Sequence, residues 1–373
     1  MKKILLLFTY LVGALCVTNA QTPLRIVDAT DQIPVISASV FDSEGNIIGY
    51  SMYDGTLPTI PETAYPITIR SIGYELLTIP APENRDWLMT PKNYDVETVV
   101  VVPSKHEVVK QTVYVRMFCS GGNSVSRVQE YVEFMGERFI PITKGSKFNE
   151  SDKFHAYPAT SYKLDHTKER DSLSYQTDYA VESYLRIFEL LPEEEFEVPD
   201  SFKNADSGTT LSVEKPGKSG PLTTVRQKGE KLTFYADIVA KKKNHVWTPW
   251  LLKLFGVKLS VHKLNATLNF RVNPQGIYHP KDILDCSINM ELDVEGKKIE
   301  KAMETDEPFA LKFSIEMYPT ESEALTLQGA QYEIQNRPKT IPLTIPDHAT
   351  PLNPEVLELI QEVLASQRAQ AAQ

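Results

Sequence analysis

The chain has 373 residues, of which 42% are hydrophobic, 9% aromatic and 24% charged. This is the composition of a folded protein with room for two domains, and it excludes a disordered, collagen-like or coiled-coil chain. A formal net charge of -10 argues against nucleic acid as a partner.

Lys2 and Lys3 precede an apolar run from Ile4 to Val17, which Thr18, Asn19 and Ala20 close. Charge, apolar core and small polar residues in that order are the pattern of a secretory signal over residues 1–20, so the mature chain is expected to begin at Gln21. The run is short for a membrane anchor, and Leu15 stands where lipidation of Cys16 would want a small residue. No later run reaches the roughly 18 apolar residues of a spanning helix, so no transmembrane span is expected in the mature chain. The expected location is outside the cytoplasm, periplasmic or associated with the outer membrane. Cys119 and Cys286 remain in a compartment where disulfides persist. A bond between them is one reading; the other is two free thiols acting as small hydrophobes, with Cys286 in phase with the apolar positions of a strand.

From Leu24 to Val102 the chain is cut into short segments of strand composition by Pro, Gly, Asn and Asp. Ile36, Ala38 and Val40 alternate with Ser37, Ser39 and Phe41, giving one apolar and one mostly polar face. Asp42, Ser43, Glu44, Gly45 and Asn46 supply a turn. Further strands are expected over Ile47 to Met52, around Ile67 and Ile69, over Leu76 to Ile79, and over Val96 to Val102. About seven short strands predict a small sandwich of two antiparallel sheets over residues 21–103. Ala38-Ser39-Val40, the turn through Gly45, Asp54-Gly55, Ile72-Gly73-Tyr74 and the run Val99-Val100-Val101-Val102 resemble the carboxypeptidase regulatory-like domain. That resemblance implies a transthyretin-like seven-strand sandwich of the kind found at the N-terminus of exported envelope proteins and outer-membrane receptors, an accessory module rather than a catalyst. Of the family's Asp-x-Asp-Gly turn, Asp54 and Gly55 stand here.

Residues 104–347 carry longer alternation. Leu284, Cys286, Ile288, Met290, Leu292 and Val294 interleave with Asp285, Ser287, Asn289, Glu291 and Asp293, which predicts one buried and one wet face. Phe309 to Met317 and Leu232 to Ile238 repeat the pattern. Between Val257 and Val272 the apolar phase changes near His262 and Lys263, so a bulge is expected there. The segment is read as a larger antiparallel β-rich domain with few helices. Asp178 to Leu191 carries a helical stripe through Val181, Tyr184 and Phe188, in competition with strand alternation. The stretch from Glu193 to Glu230, rich in Lys, Gly, Ser and Pro, reads as a solvated loop; its Gly217-Lys218-Ser219 lacks the earlier glycine of a phosphate-binding loop. In residues 348–373, Asn353 as cap, Pro354 in the first turn and a stripe of Leu357, Ile360 and Leu364 predict a C-terminal helix.

Catalytic patterns are weak. His166 and Glu169 have the spacing of a zinc-ligand pair and His279 lies downstream, but the pair sits in a charge-dense segment that reads as surface, so a zinc hydrolase is not the expectation. No serine occupies a Gly-x-Ser-x-Gly elbow. The most unusual segment runs from Lys241 to Gly256: Lys241, Lys242 and Lys243, then Trp247, Trp250, Leu251 and Phe255. It can contact a partner or a membrane headgroup zone, or form a short helix that plugs the open face of the sheet. Together these features predict a mainly β, non-enzymatic exported protein without a cofactor, binding or scaffolding at the cell envelope, with envelope or outer-membrane proteins as partners. The alternative is a periplasmic carrier that encloses an apolar ligand in a curved sheet.

Overall fold

The computed structural model describes residues 24–92, 106–142, 153–167, 171–179, 181, 196–198, 210–214, 221–241, 245–246, 256–297, 300–301 and 304–371. The protein is mainly β, with large antiparallel sheets and a C-terminal helix. The N-terminal region holds β1 (Arg25–Asp28), β2 (Ser39–Phe41), β3 (Ile47–Tyr50), β4 (Ile67–Arg70), β5 (Leu77–Ile79) and β6 (Asp86–Met89). One sheet has the order β3-β2-β4-β5 and is antiparallel; the other pairs β1 with β6 in parallel, a departure from the expected pair of antiparallel sheets. Ile26, Ala38, Val40, Ile67, Ile69 and Met89 fill the space between them. The predicted turn forms: the Asp42 carboxylate accepts the amides of Glu44 and Asn46 at 3.0 and 2.8 Å, and Gly45 takes a φ of 83° that a larger residue resists. The expected strand over Val96 to Val102 lies outside the described residues.

Fourteen more strands follow: β7 (Val108–Gly122), β8 (Ser126–Pro141), β9 (Phe154–Ala156), β10 (Ala159–Thr167), β11 (Asp171–Tyr179), β12 (Phe196–Glu197), β13 (Thr210–Glu214), β14 (Pro221–Lys228), β15 (Lys231–Asp237), β16 (His245–Val246), β17 (Lys258–Arg271), β18 (Ile277–Tyr278), β19 (Ile283–Glu295) and β20 (Phe309–Leu325). Ten of them run in the order β11-β10-β8-β7-β20-β19-β17-β15-β14-β13, with β9 and β16 pairing on β8 and β17. Two antiparallel meanders therefore leave from the central pair, β7 and β20. A β7 of 15 residues spans about 50 Å.

One expectation fails here. The stretch read as a solvated loop carries the β13–β14 hairpin, and β14 runs on into β15 through a turn at Gly229–Glu230. Its polar composition misled because, among the described side chains of β14, Val225 is the one in the apolar core, too short a signal for alternation to register. The segment from Asp178, read as a helix or a strand, starts as the end of β11, with Val181 in the core; residues 180 and 182–191 lie outside the description. The bulge is found where the phase changes, as a register shift between Val261 and Lys263.

The apolar face is continuous across strands. Val225, Phe234, Leu268, Cys286, Met317, Val115 and Phe134 stand opposite one another in register across seven strands. All belong to one buried cluster or pack against it. Both cysteines lie in it as free thiols. β20 separates their strands, so they stand at least two strand spacings apart, about 10 Å, beyond the reach of a disulfide. Burial raises both thiols, Cys286 to about 12.

The opposite face departs most from expectation. Asp285, Ser287, Asn289, Ser314 and Glu316, predicted to be wet, are buried. The N-terminal sandwich and the C-terminal segment cover them. Phe41, Ile47 and Tyr50 pack on Phe118 and Tyr131, and Ile72 packs with Tyr114, Met135 and Tyr318. Among the described residues two α-helices are seen, α1 (Leu327–Gln335) and α2 (Pro354–Ala371). Thr326 caps α1 by accepting the Gly329 amide at 3.0 Å, a helix the apolar pattern does not announce. α2 starts where Asn353 and Pro354 place it, but its buried stripe is Val356, Leu359 and Val363. Leu357, expected to be buried, is 44% exposed; the helix is rotated so that Val356 meets Phe41 and Tyr131.

Candidate functional site

The contact between the sandwich and the long sheet is built around charge. Arg70, at the end of β4, donates from Nε to Glu316 Oε1 at 2.7 Å and from Nη2 to Oε2 at 2.9 Å, a two-pronged pair. Arg116 on β7 donates from Nε to Oε2 at 2.6 Å, and Tyr318 donates to the same oxygen at 2.7 Å. Arg70 also reaches the Thr350 carbonyl at 2.9 Å and Asn353 Oδ1 at 3.3 Å, which ties the sandwich to the start of α2. Burial alone would raise the Glu316 carboxyl; the guanidiniums of Arg116 and Arg70 outweigh it and hold it down at about 2. Neighbouring Asp285 has the opposite fate, pushed up to about 8 by burial and by Glu316, with Asn269 donating to it. Along the same face Asn289 donates to the Ser37 carbonyl at 2.6 Å, Ser39 donates to Ser314 at 2.9 Å, and the Tyr50 hydroxyl donates to the Phe313 carbonyl at 2.7 Å. The serines of β2 and the segment before it, read as a polar face, are thus the sandwich's side of this interface.

Beside this closed region the two bodies part to leave a cleft of about 900 Å³. One wall is the segment Ile33–Ile36, Tyr53 and the corner Ser71–Tyr74; the other is the face of β14, β15 and β17 that carries Arg226, Lys228, Lys231, Thr233, Asn269 and Arg271. The corner is fixed because the Lys92 amide donates to the Gly73 carbonyl and the Glu75 amide to the Thr90 carbonyl, both at 2.9 Å. Gly73 has a φ of 81°, a left-handed conformation that favours glycine, and the Lys231 ammonium lies over its Cα.

Asp28 anchors the cleft floor. Its side chain is fully buried and accepts the Thr30 amide at 2.8 Å, Lys228 Nζ at 2.6 Å and the Tyr74 hydroxyl at 3.0 Å, with Arg226 at 3.4 Å. Burial would raise this carboxyl, and the bonds from Lys228, Thr30 and Tyr74 bring it below its ordinary value. Arg226 also pairs with Asp31. Lys231 meets the reverse situation: burial, then Lys228 and Arg226, push its ammonium down to about 8. The arrangement suits the holding of a polar ligand between preset cations and hydroxyls.

Of the residues singled out in the sequence, Lys242, Lys243, Trp247, Trp250, Leu251 and Phe255 lie outside the described residues, and Lys241 ends a short 3-10 turn from Ile238. His245–Val246 between them pairs with β17. The histidines do not converge on a metal: His166 pairs with Asp171 across the β10–β11 hairpin, and His279 accepts the Lys281 amide at 3.3 Å at the start of a 3-10 turn. Glu169 is outside the description, and among the described residues no group of three His, Cys, Asp or Glu side chains could hold a metal ion. The cleft residues were missed. Arg226 and Lys228 at alternate positions before a Gly-Glu turn and Lys231 were the available signal, hidden by the loop reading.

No family model matches the chain, and no curated protein matches it. A solved structure described as lipid–protein interactions in lipovitellin aligns with 59% of this chain at 10% identity and a TM-score of 0.29. The chain spans 26% of the length of that one. An isomerase-inactive variant of GphF DH1 aligns over 60% of this chain and 78% of its own, at 6% identity and a TM-score of 0.10. Likenesses this loose carry no argument about the site.

Proposed function

We propose that this protein is a non-catalytic binding or scaffold module of the cell envelope, exported by its leader, with a carboxypeptidase regulatory-like domain at the N-terminus. The observation that carries the reading is the cleft, whose walls come from both bodies and whose side chains are already fixed by ion pairs. A preset site of this kind recognises a ligand without first rearranging. Asp28, held below the ordinary carboxylate range, is a structural acceptor and a poor proton shuttle near neutral pH. The carrier alternative draws on the continuous apolar face of the sheet; among the described residues the side chains in register there form one buried cluster.

Photo-crosslinking from position 53, at the exposed rim of the cleft, in intact cells tests the proposal. Capture of a defined envelope component supports it. Lipid co-purifying at one molecule per chain, with no crosslink at the rim, supports the carrier instead.

A further inference from the structure

Resting on that binding reading, we propose that the cleft is a subsite for an oxyanion, phosphate or carboxylate, carried by a small organic ligand. The lining has five cations, Lys92, Arg226, Lys228, Lys231 and Arg271, against two acids, Asp28 and Glu230. That excess stands out in a chain with a net charge of -10, so it marks a local positive potential inside an acidic molecule.

Three further observations make this potential a built feature. Asp28 and Asp31 hold Arg226 and Lys228 from the sandwich side, so the cations of β14 are oriented before any ligand arrives. Arg226 Nε is buried with no hydrogen-bond partner among the described residues, an unsatisfied donor on the cleft wall. Half-buried Lys231 stands near two like charges, with Lys228 and Arg226 both acting against its ammonium. An anion placed among these groups relieves their mutual repulsion and forms charge-assisted hydrogen bonds in a partly desolvated site. The volume exceeds what a bare ion needs. Tyr53, exposed at the rim, and Tyr235, buried deeper, are aromatic lining residues against which the remainder of a ligand, such as a sugar ring, would pack.

Calorimetric titration of the full chain with glucose 6-phosphate, glucuronate, inorganic phosphate and uncharged glucose tests this. Binding of the phosphate sugar, the uronate or both, with glucose at least about tenfold weaker, supports the proposal, and the two charged sugars tell phosphate from carboxylate. Lys231→Met is expected to weaken the charged ligand about tenfold or more. Thr210→Glu, at an exposed rim position, is expected to weaken it through repulsion without touching the interior. Glucose binding as tightly as its charged relatives, no charged ligand binding at millimolar concentration, or affinity unmoved in both variants overturns the oxyanion assignment. Those results leave the crosslinking readout of the binding module standing on its own.

Discussion

The two faces of the long sheet are made by the same strands and reach the same dryness by different means. On one face seven apolar residues line up strand by strand, and their burial needs no partner chemistry. On the other, Asn289, Ser314 and Glu316 are met by Ser37, Ser39 and Arg70 of the sandwich, while Asp285 is answered within the sheet by Asn269. Alternation along a strand tells which side is apolar. It does not tell which side is wet, since a polar side can be covered by a body whose own groups satisfy it.

The comparison is broken most severely at Glu316. Glu316→Ala leaves Arg70 and Arg116 buried without their counter-charge, and a loss of about 3–5 kcal/mol is expected. Ile288→Val on the apolar face should cost only about 0.5–1.5 kcal/mol. Urea midpoints at constant slope measure both. If the glutamate variant lost no more than the isoleucine one, the charged cluster would not be what fixes the sandwich.

pH sharpens the same contrast inside the polar face. Glu316 is held down at about 2, below its ordinary 4.5, so its stabilisation is complete above about pH 4.5 and is lost as pH falls toward 2. Asp285 is pushed up from 3.8 to about 8, so its proton-linked stability is complete at acid pH and is lost as pH rises through the range to about 8. Asp285→Asn should therefore gain on the parent protein between pH 5 and 9 by up to a few kcal/mol. A parallel pair of stability curves would contradict this.

Two smaller effects complete the series. Asn289→Ala removes the donor to the Ser37 carbonyl and Oγ and should cost about 1–3 kcal/mol by thermal or urea unfolding. On α2, Leu357→Ala at an exposed position should stay within about 0.5 kcal/mol, whereas Val363→Ala at a buried one should cost clearly more. Equal losses would place the helix on the face first read from its leucines.

The legible part of the molecule is the part written as long repeats. β19 and β20 and the bulge after Val261 follow directly from the spacing of apolar residues, because a strand with one dry apolar side has a period of two. The turn at Asp42–Asn46 and the start of α2 were legible because their residues have local hydrogen-bonding roles. β13 and β14 were not, since a hairpin whose polar side carries Arg226 and Lys228 has the composition of a loop. The parallel pairing of β1 with β6 joins segments about sixty residues apart and leaves no local trace. The cleft is hidden for a related reason: Asp28 and Lys228 lie 200 positions apart, and only the docking of two bodies makes them neighbours.

The reach of Arg70 bears on how such a chain can change over generations. Its side chain is answered by Glu316, 246 positions later, and by Asn353, 283 positions later. A sandwich exchanged from another gene by recombination would arrive without that guanidinium and would meet a carboxylate with half its counter-ions missing. Inheritance of the segment that carries Arg70 is thereby tied to inheritance of the segment that carries Glu316 and Asn353, and the two are expected to drift together.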